Sequence, residues 1–203
     1  MDERGCDGMR VLPADFVVRL GHHETCDEGG CVNDWVSYCC GLPQITDHPP
    51  CESPVCAEFA IVLNDSMPSD EMRTRLLGPL IEILATTVIT PELEQQRAYY
   101  FADRAVRLFA PLALDACGLS DQASKLRALP EILDAASAAS AIRAAWAIRA
   151  AWADRADRAA RAAWDAWADW AAWAARAADN AEEIWQQAAD VLRTAALMGK
   201  ESA

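Results

Sequence analysis

The sequence lacks the short motifs that mark common nucleotide-binding and hydrolytic metal sites. It contains no P-loop, no GxGxxG segment and no HExxH pair, so none of these mechanisms is indicated. No run of about 18 apolar residues is free of charge, which predicts that the chain has no membrane span. The start, Met1 to Arg4, has no basic segment followed by an apolar stretch, which predicts no signal peptide and a cytoplasmic location.

Basic residues are scarce, and their scarcity is uneven along the chain. There are 18 Lys and Arg residues against 31 Asp and Glu residues, a formal net charge of -13. Residues 1–70 carry 13 of these acids and only 3 bases. Because such a surface repels phosphate backbones, we expect no direct nucleic-acid binding. An acidic, phage-type inhibitor of a nucleic-acid-binding protein stays open as an alternative function.

Composition divides the chain into three zones. Residues 1–57 form a Cys/His-rich N-terminal segment with seven of the eight cysteines and all three histidines. Residues 58–135 resemble an ordinary helical core, and residues 136–203 form an Ala/Trp-rich amphipathic helical region. The predicted fold class is therefore mainly α, a helical bundle with a loop-rich N-terminal segment and a long amphipathic C-terminal helix. Two short strands are predicted at 10–12 and 16–18.

Capping residues mark where several of the helices begin. Apolar residues at 32, 35, 36 and 39 have helical spacing, and Gly41 suits the position just after a helix end. Ser53 followed by Pro54 is typical of an N-cap with proline at the first helical position. Ser69 and Thr90 are further predicted N-caps.

Tryptophans recur through the C-terminal region with helical spacing. At about 100° per residue they fall on one half of a helical wheel, while most Asp and Arg residues fall on the other. The predicted interaction face consists of Trp146, Trp152, Trp164, Trp167, Trp170 and Trp173. Burying one large aromatic side chain is worth roughly 2–3 kcal/mol, so this face is expected to be covered by the same chain, a second copy, a partner or a membrane surface.

This face favours a non-enzymatic function. The leading hypothesis is a helical protein-interaction or scaffold protein that self-associates or binds a protein partner. The sequence does not identify that partner, and it does not distinguish packing within the chain from packing between chains.

The cysteines and histidines of the N-terminal segment form the second candidate site. Without an export signal the cysteines are expected to be reduced, as core residues, metal ligands or reactive thiols. Two Cys pairs with four-residue gaps and nearby histidines suggest a structural zinc site, which requires four converging ligands. The candidate zinc ligands are His22, His23, Cys26, Cys31, His48 and Cys51.

An enzymatic alternative uses Cys31 as a nucleophile. Cys31 follows two glycines and is predicted to open a helix, where the helix dipole stabilises a thiolate. His22, His23 or His48 would act as the base and Asp47 would orient it. This arrangement would suit a cysteine-dependent hydrolase or transferase.

A group of short segments carries a resemblance to known sequences. These are Gly21-His22, Cys31-Val32, Gly41-Leu42-Pro43, Thr46-Asp47-His48-Pro49, Cys51, Ser53-Pro54-Val55, Asn64-Asp65, the stretch from Arg73 to Leu80, Gln96 to Tyr99 and Ala116 to Leu119. Over residues 20–130 the chain resembles a family of bacterial hypothetical proteins with Ala/Arg/Asp/Trp-repetitive C-terminal tails. The resemblance implies no activity, but it implies that Gly21-His22, Cys31 and the 47–51 segment belong to one shared feature. This sequence departs from the family at Asn33-Asp34-Trp35, where a Met-Glu-Ala-like stretch is replaced and a shorter carboxylate stands in place of Glu.

Overall fold

The structure is a computed structural model that describes residues 9–27, 29–152 and 180–200. These residues are mainly helical and contain no β-strand, which confirms the predicted fold class. The two short strands predicted at 10–12 and 16–18 are wrong. A turn closed by the bond from the Phe16 N–H to the Pro13 carbonyl interrupts this stretch, and only Val18 forms a bridge, with Gly30.

The chain forms two compact units. One comprises Met1–Arg97 together with Ala188–Ala203, and the other comprises Ala98–Gln187. The described helices, in chain order, are α1 (Val32–Cys39), α2 (Pro54–Ser66), α3 (Asp70–Leu77), α4 (Ile81–Leu84), α5 (Pro91–Arg104), α6 (Ala110–Ala116), α7 (Ser120–Arg127), α8 (Ala135–Trp152) and α9 (Ala181–Leu197). A 3₁₀ turn, Gly78–Leu80, joins α3 to α4, and a π-helical turn, Ala105–Phe109, joins α5 to α6.

The predicted helix starts are confirmed by their hydrogen bonds. The Ser53 hydroxyl accepts from the Cys56 N–H at 3.2 Å, and Pro54 occupies the first turn of α2. Ser69 caps α3 in the same way, and Thr90 accepts from the Leu93 N–H at 3.2 Å. Gly41, which follows α1, has the positive φ of 66° that favours glycine.

Helix α1 lies in the core of the first unit. Its apolar residues Val32, Trp35, Val36 and Cys39 are each at most 2% exposed, and the helix packs against α2 and α4. The Trp35 indole N–H donates to the Val17 carbonyl at 2.9 Å, so the buried ring keeps a polar partner. The polar side of α1 is buried as well, since Asn33, Asp34 and Ser37 are inaccessible to solvent. These polar groups must therefore find their hydrogen-bond partners within the protein.

Within the first unit, a buried arginine of α5 binds the C-terminal part of α9. Arg97 is fully buried and donates to the backbone carbonyls of Val88, Ala195 and Met198 at 2.8 to 3.1 Å. It also pairs with Glu94. The apolar residues that recur with helical spacing along α9 are all buried: Ile184, Trp185, Ala188, Val191, Leu192 and Ala195.

Within the second unit, α6 packs against α7 around a small apolar core. The buried carboxylate of Asp103 holds the chain that leads to α8, since its Oδ1 accepts from the Ile132 N–H at 3.1 Å and from Arg107 at 2.8 Å. Ala102, Ile132 and Ala141 are buried together beside it.

The tryptophan-rich region is only partly described. Trp146 and Trp152 belong to α8, as the helical periodicity predicts. Trp164, Trp167, Trp170 and Trp173 lie outside the described residues, so the interaction face stays a prediction. Within the described ranges, no helix combines the length and apolarity needed to cross a bilayer.

Candidate metal centre

The site is built at the N-terminus of α1. Cys31 is the N-cap, with an extended backbone (φ −65°, ψ 169°). Its Sγ accepts from the Asp34 N–H at 3.4 Å, while Asp34 Oδ2 accepts from the Cys31 N–H at 2.8 Å. This is a reciprocal capping box in which cysteine takes the place of Ser or Thr, and it turns the Asp34 carboxylate back over the helix end.

The two oxygens of Asp34 have different partners. Oδ2 accepts a second backbone hydrogen bond, from the His23 N–H at 2.9 Å, whereas Oδ1 lies 2.7 Å from His22 Nδ1. The side chain is fully buried. The N–H groups therefore fix the orientation of the carboxylate, and Oδ1 points at the imidazole.

A second carboxylate reaches the same imidazole nitrogen from a loop. Asp47 Oδ1 lies 3.1 Å from His22 Nδ1, and the Asp47 side chain is 37% exposed. Side chains of α1 dock this loop. Asn33 donates to the Asp47 carbonyl at 2.6 Å, and the Ser37 hydroxyl donates to the Thr46 carbonyl at 2.8 Å.

One His and two Asp residues thus present ligand atoms to a common point. Nδ1 of His22 and a carboxylate oxygen each from Asp34 and Asp47 lie within 4.8 Å of one another. Elsewhere among the described residues no other group of three His, Cys, Asp or Glu side chains meets this criterion. Imidazole nitrogen and carboxylate oxygen are the usual ligands of divalent Zn, Fe and Mn in proteins.

The electrostatics of the site centre on His22. Its hydrogen bond to Asp34 raises the pKa of His22 above the ordinary value, and the charges of Asp34 and Asp47 add to the effect, against some desolvation. His23 lies on the other side of Asp34, with its Nδ1 3.5 Å from Oδ2. That nitrogen is buried and has no hydrogen-bond partner.

Cys31 lies beside this cluster, but its contacts differ from those of a catalytic thiol. The thiol lies 3.5 Å from Asp47 Oδ1, to which it donates. Burial, and next the charge of Asp34, raise the pKa of Cys31 far above that of a free thiol. The single backbone N–H at the helix start opposes this shift and does not outweigh it.

The remaining zinc candidates do not join the cluster. His48 is 60% exposed, and its nearest acid is Glu58 at 3.9 Å. The Cys26 thiol faces the Asp34 carbonyl at 3.7 Å, and burial raises its pKa to about 12. Cys51 forms a disulfide with Cys40. The expectation that all eight cysteines are reduced is therefore wrong for this pair. Because disulfide-bonded sulfurs offer no thiolate to a metal, Cys51 is removed from the candidate ligands.

A polar cavity of about 910 Å³ adjoins the site. His22 and Cys26 contribute to its wall, and so does an aromatic group in which Trp35 contacts Phe16 and Tyr38 edge-on at 5.7 and 5.5 Å between ring centroids. The guanidinium of Arg10 lies 5.6 Å from the centre of the Tyr38 ring. The cavity is lined within the first unit and gives a small molecule room beside His22.

Sequence reasoning identified His22 and Asp47 as site residues but missed Asp34. The available signal was its spacing. An acidic side chain three residues after an N-cap folds back to the helix start, and Cys31 was already expected to open the helix. The capping box is usually recognised by a Ser or Thr at the N-cap. A box that begins with cysteine, as at Cys31, does not match that pattern.

Comparison with known proteins gives no family for this chain. No protein-family model, no curated protein and no solved structure matches it. Any functional assignment therefore depends on the geometry of the site.

Proposed function

We propose that this protein binds a divalent transition-metal ion through His22, Asp34 and Asp47, and that its function depends on that ion. The observation that supports this proposal is the convergence of two carboxylates on one imidazole nitrogen, at 2.7 and 3.1 Å. One carboxylate would be enough to orient the imidazole, so a purely structural contact does not account for the second. The second carboxylate completes a set of three protein ligands, the number typical of metal sites that keep an open coordination position.

The ligand set favours one kind of site over another. Structural zinc sites are closed by four protein ligands, commonly cysteines, whereas three protein ligands leave coordination positions for water or a substrate. One nitrogen and two oxygens suit Zn²⁺, Fe²⁺ or Mn²⁺. A bound ion of this kind would act as a Lewis acid and lower the pKa of a bound water. The proposed centre thus replaces the cysteine-rich structural zinc site that the sequence suggested.

The hydrogen bonds that hold Asp34 support this role. Backbone N–H groups from His23 and Cys31 hold Asp34 Oδ2, so that Oδ1 stays directed at the metal position. Metal-binding carboxylates and histidines are commonly oriented by such outer contacts. Asp34 therefore serves the helix cap with one oxygen and the metal with the other.

The other functional hypotheses stand on different ground. The Cys31 nucleophile is disfavoured by its buried, acid-flanked thiol. The scaffold role depends on tryptophans outside the described residues, and the acidic inhibitor depends on an extended charged surface. Both stay proposals that a metal site neither supports nor opposes.

The test is metal binding by the full chain. Purified protein is stripped with a chelator, desalted and titrated with Zn²⁺ and separately with Mn²⁺ by calorimetry. We expect one ion per chain. Asp47→Asn should weaken binding by at least about tenfold, since one of three ligands loses its charge.

His48→Ala is the matched control, since this exposed histidine contacts Glu58 and lies outside the cluster. It should bind metal like the wild type. Asp47→Asn is preferred to a change at Asp34, because Asp34 also caps α1 and its loss would disturb folding. Absence of stoichiometric binding by the wild type, or equal affinity of the Asp47→Asn variant, would refute the proposed centre.

A further inference from the structure

The disulfide between Cys40 and Cys51 encloses the loop that carries Asp47. Cys40 follows the last residue of α1, and Cys51 precedes α2. Both cysteines are at most 2% exposed. The bond therefore joins the two ends of the segment 41–50 inside the protein.

Asp47 is the ligand of the proposed metal centre that depends most on this loop. Asp34 belongs to α1 and is fixed by backbone hydrogen bonds, and His22 precedes α1. Asp47 lies near the middle of the enclosed segment. Its side chain is 37% exposed, so packing alone holds it weakly.

Two kinds of attachment keep the loop in place. Asn33 and Ser37, one helical turn apart on α1, bond the backbone of Asp47 and Thr46 at its centre. The disulfide holds its ends. Closing a loop removes open conformations from its ensemble, so a closed loop gives up less conformational freedom when Asp47 binds an ion.

We propose that the Cys40–Cys51 disulfide regulates the metal centre, so that metal affinity is high in the oxidised protein and low in the reduced one. This inference rests on the proposed function, because it requires metal to bind at Asp47. The disulfide acts only through the loop that carries Asp47. Backbone contacts at the N-terminus of α1 hold Asp34 in both redox states.

The redox step balances with a dithiol as the reductant. Because both cysteines are buried, attack follows local opening of the 41–50 loop. One thiolate of the dithiol then attacks a sulfur of the Cys40–Cys51 bond, which forms a mixed disulfide and releases the other cysteine. The second thiol of the reductant then displaces the remaining cysteine. Two electrons and two protons pass to the protein, which gains two thiols, and the reductant becomes a cyclic disulfide.

The experiment compares Zn²⁺ affinity by competition with a chromophoric chelator in three full-length proteins. These are the oxidised wild type, the Cys40→Ser/Cys51→Ser double variant and Cys117→Ser, a control at an exposed free cysteine. We expect the wild type and Cys117→Ser to bind equally. The double variant should bind about tenfold more weakly while its far-ultraviolet circular dichroism stays unchanged.

A second measurement covers the case in which the double variant does not fold. Wild-type protein is reduced with dithiothreitol, desalted without oxygen, assayed, and then reoxidised and assayed again. Weaker binding after reduction that recovers on reoxidation supports the proposal. Equal affinity in both forms overturns it and leaves the metal centre intact, whereas absence of binding in every protein overturns the centre as well. Loss of helical structure in both reduced forms also overturns it, since the bond would then support the whole unit.

Discussion

Asp34 forms the shorter of the two carboxylate contacts to His22, 2.7 Å between Oδ1 and Nδ1, although the two residues differ greatly in exposure. The Asp34 side chain is completely buried, while that of His22 is 40% exposed. A buried carboxylate is costly unless it is hydrogen-bonded, and here two backbone N–H groups donate to Oδ2 while the imidazole of His22 lies against Oδ1. The exposed imidazole edge then remains available on the wall of the cavity.

The first prediction concerns the protonation of His22 in metal-free protein. Its raised pKa depends first on Asp34 and then on Asp47, so Asp47→Asn should lower the pKa of His22 toward 6.5. Because the folded pKa is raised, the stabilisation is present below that value and is lost as pH rises through the folded pKa. The two proteins should therefore differ in stability at pH 5 and agree at pH 9.

Titration of the imidazole signals by NMR measures the pKa values directly, and urea unfolding at the two pH values measures the stability difference. A His22 pKa that is unaffected by Asp47→Asn would show that Asp47 does not contact the ring in solution.

The second prediction tests the close packing behind Asp34. A Cβ on Gly30 would lie 2.9 Å from the Asp34 Cβ and 3.3 Å from Oδ2. Gly30→Ala should therefore displace the carboxylate, lowering stability by about 1–3 kcal/mol and metal affinity by at least about tenfold. Urea unfolding and zinc titration measure the two effects. Wild-type affinity in this variant would mean that the Asp34 position is not critical.

The third prediction concerns Glu52, a buried acid outside the metal centre. Glu52 is 1% exposed, and neither carboxylate oxygen has a hydrogen-bond partner. Desolvation raises its pKa well above 4.5, so the native state favours the neutral acid. Because the pKa of Glu52 is higher in the folded than in the unfolded state, its contribution to the free energy of unfolding is greatest below about pH 4.5. That contribution is lost as the pH rises through the folded-state pKa.

Glu52→Met should stabilise the protein at pH 8 by about 1–3 kcal/mol, because it replaces an unpaired carboxyl group with an apolar side chain of similar size. Glu52→Gln is the matched control that removes only the titration. Relative to Gln, the wild type should lose stability between pH 5 and pH 8 in urea unfolding. Parallel pH profiles for wild type and Gln would contradict the raised pKa.

The fourth prediction concerns a buried amide that connects the site to α2. Asn64 accepts from the Val32 N–H at 3.2 Å and donates to the Arg19 carbonyl at 2.8 Å. Asn64→Ala leaves both backbone groups without their partner and should cost about 1–3 kcal/mol. Gln95→Ala is the control, because Gln95 is an exposed residue within α5, and it should stay within about 0.5 kcal/mol of wild type. Equal denaturation midpoints for the two variants would contradict this role.

The sequence was informative wherever the relevant interaction is local. The start of α2 at Ser53-Pro54, the glycine after α1 and the buried stripe of α9 each follow from residues within a few positions of one another. Capping and helical periodicity act over one or two turns, so no knowledge of distant contacts is needed. The same local rule, applied to a cysteine cap, would have identified Asp34.

Tertiary structure decided which distant groups meet. Nothing in the spacing of His22 and Asp47 distinguishes them from His48 or Cys26, because their convergence on Asp34 depends on tertiary packing, including how the 41–50 loop docks on α1. The pairing of Cys40 with Cys51 depends on the same docking, which overrode the expectation of free thiols. The helices and their ends follow from short-range hydrogen bonds and from the periodicity of apolar residues, both of which are visible in the order of the amino acids. The folded chain alone placed one imidazole between two carboxylates, because only packing brings together groups that are separated along the backbone.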